Sequence, residues 1–344
     1  ERMFFMKKLF ITGITAAAVL ATCTATAFAA PSIIVNSNTL ATDQEPIIVD
    51  SRTLVPMRAI FEALGCEVRW DADSKTVYAQ KDLQYLSLTI GDDTLYTTKD
   101  TISLDVPAQI INNHTMVPLR AVSEALQATV SWDAATETVT VQSAAQGSYP
   151  YTVKTYTENQ NGVSLDMAYP QFTAGTNVNQ TVLSDVNKQL AAASHSRATA
   201  LMQELATEEP HSATVEERFA VTYNKGNYTS VLFQTVQNTG GAHPMTFRNG
   251  TIYDMTTGKI QTAADILKCE QKEVDKMVLD GFTAQINAKP ELFYENALEE
   301  LSQAIAHHSY NYYLTEDGLT FFFHPYDIAP YASGFQEFTV PLMK

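Results

Sequence analysis

Two stretches, 51–80 and 113–142, carry the same order of apolar and polar positions, and fifteen of their thirty residues coincide without a gap. In each, a short strand leads to a proline, Pro56 or Pro118, which suits a first helical turn whose N–H groups have no intrahelical acceptor. Apolar side chains then recur at helical spacing: Met57, Ile60, Phe61 and Leu64 in the first copy, Leu119, Val122 and Leu126 in the second. Gly65 is placed to end the first helix, and Gln127 takes that position in the second. Strands are predicted at Val68-Arg69-Trp70 and Val130-Ser131-Trp132, turns at 71–74 and 133–136, and returning strands at 77–79 and 139–141. Each copy reads as strand, helix, hairpin. That unit is too small to bury its own face, so two should pack into one domain over 30–143.

Past a small, polar segment at 144–150, predicted as a linker, the periodicity changes. Strands are predicted at 151–157 and 163–170, then a long helix over 180–206 with Leu183, Val186, Leu190, Met202 and Leu205 on one face. Hairpins follow at 215–237, around Asn224-Lys225-Gly226-Asn227, and at 246–260. Thr262 and Asp265 have the spacing of a capping box. Helices at 271–287 and 296–307 and strands at 319–323 and 336–341 complete the chain. Strands and helices mix without a βαβ rhythm, so the expected class is α+β: a small N-terminal domain of two repeats and a larger mixed C-terminal domain over 151–344, with a division into 151–235 and 236–344 as an alternative.

The first 29 residues interrupt this globular pattern. Lys7 and Lys8 precede an apolar run of about a dozen residues, too short for the ~20 that a spanning helix needs, and small residues ending in Ala27-Phe28-Ala29 follow. This is the form of a cleaved secretory signal peptide, so an extracytoplasmic protein with no membrane span after cleavage is expected. The 344 residues carry 22 Lys+Arg against 38 Asp+Glu, a net charge of −16. Such a balance argues against nucleic acid as a partner and would steer a basic protein toward the chain. Of the three cysteines, Cys66 and Cys269 follow the leader and fall in different domains, so two separate thiols are expected.

Trp70 and Trp132, the chain's two tryptophans, occupy equivalent repeat positions. A carbohydrate-stacking pair and a pair of core plugs are both open, and the core is the expected place for a repeated Trp before a turn. Arg58 with Glu62, and Arg120 with Glu124, are spaced as helix-surface ion pairs. The phrases T-L-V-P-M-R-A-I-F-E-A-L-G, V-R-W-D and K-T-V resemble the copper amine oxidase N-terminal-like domain, a module repeated in tandem on surface proteins of Gram-positive bacteria. That module is an appendage without the copper centre, and His114 is the one histidine in the region.

The chemistry-bearing residues of the C-terminal half lie in two segments, N-T-G-G-A-H-P at 238–244 and F-F-F-H-P-Y-D-I-A-P-Y at 321–331. Gly240, Gly241, His243, Pro244, His324, Tyr326, Asp327 and Tyr331 are the candidate binding residues. The glycines permit close approach of a partner, and a Tyr-rich loop offers large contact area at small entropic cost. With T-T-G-K at 256–259 and the closing G-F-x-E-F-T-V-P, these phrases resemble the extracellular domain of anti-sigma-V factors, which senses lysozyme. Similar domains stand beside peptidoglycan deacetylases. The resemblance implies extracytoplasmic recognition of a lysozyme-type protein or of a cell-wall component. No nucleophile, phosphate-loop or metalloprotease motif is present, so no catalytic residue, metal or cofactor is expected. A hydrolase using His243, His324 and Asp327 on a metal is the alternative, and a structural surface spacer is a third.

Overall fold

The computed structural model describes residues 30–98, 100–143, 147–173, 179–206 and 212–342. The expected signal peptide at 1–29 lies outside them. Among the described residues no helix is long and apolar enough to cross a membrane.

Both repeats form the expected unit. Strands Arg52–Pro56 and His114–Pro118 feed the seven-residue helices Met57–Ala63 and Leu119–Ala125, and hairpins follow at Glu67–Asp71/Thr76–Lys81 and Thr129–Asp133/Thr138–Gln142. Each proline ends its strand and stands as the N-cap, one position before the first helical residue. Gly65 and Gln127 both take positive φ, +81° and +61°, so the second copy holds a left-handed terminus without glycine. The feeding strands pair antiparallel with Val55 opposite Val117, Leu54 opposite Pro118 and Pro56 opposite Met116. Val55 and Val117 are repeat equivalents, so a pseudo-two-fold axis passes between them. One core is shared by both copies, with Ile60, Phe61, Val77, Leu119, Val122 and Val139 inside.

The tryptophans depart from expectation. Trp70 and Trp132 are 36% and 46% exposed and plug no core. Val68 and Trp70 share one face of their strand, as do Val130 and Trp132. The short helices and shared core cover the valine end of each hairpin and stop before the tryptophan.

The C-terminal half is α+β. Six strands form one sheet in the order Tyr151–Gln160, Val163–Phe172, Ala213–Lys225, Tyr228–Asn238, Met245–Asp254, Ile260–Gln261. Its one parallel contact, between Val163–Phe172 and Ala213–Lys225, spans the long helix Gln180–Leu205, because parallel neighbours need a crossover. Asn179 caps that helix by accepting from the N–H groups of Thr181 and Val182. A three-stranded sheet, Asn311–Leu314, Leu319–Phe323 and Gln336–Val340, packs with helices Ala263–Leu267, Gln271–Ala288 and Ala297–Ala306 around Phe282, Leu301, Phe321 and Phe323. Thr262 and Asp265 make the expected capping box.

Two boundaries need correction. The division at 235/236 falls inside Tyr228–Asn238, which pairs along its length with Met245–Asp254, so it would cut one hairpin. Residues 147–150 of the expected linker are docked: Ser148 N–H donates to Asn224 O, and the Tyr149 backbone exchanges two hydrogen bonds with the Asn224 side chain. The thiols of Cys66 (buried) and Cys269 (half-buried) are separate.

Candidate binding site

The loop 239–244 joins two antiparallel strands of the six-stranded sheet, and the loop after Phe323 leaves the small sheet beside it. Their approach brings four of the eight candidate residues together. The His243 ring stacks on Tyr331 with centroids 3.9 Å apart and planes at 20°, and Tyr326 lies parallel on a wider spacing of 6.5 Å. Tyr331 donates its hydroxyl to Pro244 O at 2.9 Å. His243 Nδ1 sits 3.0 Å from the same carbonyl, which accepts a hydrogen bond from its N–H. That tautomer leaves Nε2 to accept from the Tyr326 hydroxyl at 3.2 Å.

Tyr326 is 46% exposed and has φ +77°, a left-handed value unusual for a bulky side chain. Its N–H donates to Ala329 O, closing the turn that holds it there. Backbone strain of this kind costs on the order of 1–3 kcal/mol and gathers where a side chain must be displayed. Gly240 serves the facing loop differently: φ is +81° and its N–H donates to Asn238 Oδ1. A side chain at Gly241 would meet open space.

The other two residues, His324 and Asp327, form an inner layer that fixes the loop. Asp327 Oδ2 accepts from the His324 N–H at 2.8 Å and lies 3.5 Å from His324 Nδ1. His324 Nε2 is 2.8 Å from the Arg248 carbonyl oxygen and 3.0 Å from Arg248 N. The ring is surrounded by Phe247, Phe322 and Phe335. Burial disfavours its charged form, but the bonds to Asp327 and the Arg248 carbonyl prevail, and the His324 pKa is raised above 6.5.

Arg248 escaped the sequence analysis, whereas Phe335 and Glu337 stand in the closing G-F-x-E-F-T-V-P phrase without having been singled out as site residues. The Arg248 guanidinium lies 4.0 Å over the Phe335 ring, donates to Gln234 Oε1 and pairs with Glu337 Oε1, both at 2.9 Å. It welds the sheet carrying the first loop to the strand closing the second. No motif marked Arg248, which lies on Met245–Asp254, far in sequence from the partners it meets at Phe335 and on Gln336–Val340. Two imidazoles proposed for a metal are thus directed elsewhere, His243 toward tyrosine and Pro244 O, His324 toward Arg248 and Asp327. Among the described residues no three His, Cys, Asp or Glu side chains meet in a metal-holding group. The arrangement can present a flat aromatic surface with polar edges, anchored from behind by a charged and aromatic layer.

Comparison with known proteins divides the chain in three. The family model described as copper amine oxidase N-terminal domain matches residues 34–141, that described as deacetylase PdaC matches 156–246, and that described as protein of unknown function (DUF3298) matches 264–343. A Brevibacillus choshinensis protein named protease inhibitor is 33% identical over 78 residues, covering 23% of this chain and 24% of that protein. The chain therefore spans about a quarter of the length of this curated relative. Crystal structures of DUF3298 proteins from Pseudomonas aeruginosa PAO1 and Bacteroides fragilis are similar at 17% and 16% identity, covering 56% and 58% of this chain and 91% and 92% of theirs, with TM-scores of 0.38 and 0.34. The three regions thus match, in sequence order, families typical of extracellular proteins.

Proposed function

We propose that this chain is an exported, non-catalytic cell-envelope protein whose C-terminal domain captures a basic secreted enzyme of the lysozyme type. The observation that carries this reading is the convergence of two loops on one exposed aromatic face, His243, Tyr326 and Tyr331, with Tyr326 held at positive φ. A rigid tyrosine offers contact area at little entropic cost, and aromatic anchors dominate interface energies. The net charge of −16 supports a basic partner, because it accelerates encounter at low salt.

Calorimetric titration with a c-type lysozyme at low salt tests the reading. Binding is expected, weakened about thirtyfold by Tyr326→Ala, as for a central hot spot. No binding overturns the lysozyme assignment. The name of the Brevibacillus relative favours a second reading, in which the captured enzyme is a protease; inhibition of a secreted protease by a chain that ignores lysozyme would select it. Turnover of wall fragments that disappears in His243→Ala would replace both with a hydrolase.

A further inference from the structure

The pseudo-two-fold axis of the N-terminal domain generates a pair of clefts. The larger, ≈ 780 Å³, is lined by Arg120, Glu124 and Trp132 of the second repeat together with Ile48 and Arg52 of the first. The smaller, ≈ 590 Å³, is lined by Arg58, Glu62 and Trp70 of the first repeat together with Ile110 and His114 of the second. Adding 62 to each residue number of Arg58, Glu62 and Trp70 gives its counterpart, and the same shift takes Ile48 to Ile110 and Arg52 to His114. Each cleft therefore draws one wall from each copy.

The correspondence extends to the polar contacts at the rims. Arg52 Nε donates to Asp105 Oδ2 at 2.7 Å beside one cleft, and His114 Nε2 lies 3.1 Å from Asp43 Oδ2 beside the other. Asp43 and Asp105 are again 62 residues apart. In the larger cleft Arg120 Nη1 also approaches Glu124 Oε1 at 3.2 Å. Both clefts thus combine a partly exposed indole, an exposed isoleucine and side chains of both charge signs.

We propose that these clefts are two equivalent binding sites for a neutral glycan strand, with a sugar ring stacked on each tryptophan. The flat face of a pyranose presents C–H groups to the electron-rich face of an indole, while hydroxyls at its edge donate to carboxylates and accept from guanidinium groups. Charge complementarity chooses the occupant. On a molecule of net charge −16, the larger cleft carries two ion pairs, Arg52–Asp105 and Arg120–Glu124, and the smaller places Arg58 with Glu62 and Asp43, a mixture of signs that suits an uncharged polyhydroxyl ligand better than a polycation or polyanion. Two sites on one domain would also raise avidity for a polymer above that for a short oligosaccharide.

Trp70 and Trp132 are the chain's two tryptophans, so intrinsic emission reports these clefts alone. Chitohexaose and cellohexaose titrated into the full chain, followed by tryptophan emission and calorimetry, are expected to show saturable binding at two sites. Trp70→Ala and Trp132→Ala should each leave one site, and the double variant none, with unchanged far-UV circular dichroism. Glu62→Gln with Glu124→Gln should weaken binding at least tenfold with both rings intact. The proposal fails if neither hexasaccharide binds, if binding survives loss of both tryptophans, or if a peptide occupies the clefts and the sugars do not.

Discussion

His324 is squeezed between two opposing influences, an aromatic surround that resists charge and two oxygen partners that favour it, and the oxygens win. Because its pKa is raised on folding, protonation contributes stability that is fully present below about 6.5 and is lost as pH rises through the folded value. Urea unfolding between pH 5.5 and pH 8.5 should therefore show a decline that Asp327→Asn flattens; parallel profiles would refute the assignment. The histidine and aspartate were visible in the H-P-Y-D phrase, as was the neighbouring Tyr326. Arg248 was not, since its role depends on a strand 89 residues away placing Glu337 beside it. The tryptophans were visible as repeated residues but assigned to the wrong environment, because a period of two fixes the face of a strand and not how far a helix covers it.

At the scale of elements, the long helix meets the sheet through a charge as well as through apolar packing. Glu217 is fully buried on Ala213–Lys225, where it accepts from Arg197 Nε at 2.7 Å and Nη2 at 2.8 Å, with Thr235 and Ser194 as further donors. Arg197 in turn lies over the Phe233 ring. Removing one partner of such a pair strands the other, typically at about 3–5 kcal/mol. Glu217→Leu should lower stability by that order, and Arg197→Met added to it should recover much of the loss; chemical denaturation measures both. The alternation in 213–219 puts Glu217 on the inward face beside Val215 and Phe219, so the sequence held this signal. The helix itself was legible from its apolar period. Strand Asn311–Leu314 was missed, since four residues rich in tyrosine show no clear alternation.

For the whole molecule, the two C-terminal sheets meet with almost no tolerance at Gly250, where a Cβ would stand 2.0 Å from Tyr312 O. Leu314 N–H donates to Ser230 Oγ across the same junction. Gly250→Ala should open that junction at a cost of about 1–3 kcal/mol, the range for overpacking a filled interior. Thermal unfolding would then begin earlier by far-UV circular dichroism while tryptophan emission, confined to the N-terminal domain, keeps its midpoint. Coincident shifts in both signals would show that the two halves unfold as one. The α+β class and the N-terminal repeat were legible from the hydrophobic pattern, whereas the meeting of sheets depends on a glycine that no local pattern distinguishes. The Val55–Val117 pairing carries a last consequence. A solitary copy of the repeat could complete its walls only by finding another of its kind, so the tandem chain amounts to a homodimer made covalent. Its intervening segment replaces a concentration-dependent encounter with a permanent one, and the pair stays assembled at any dilution.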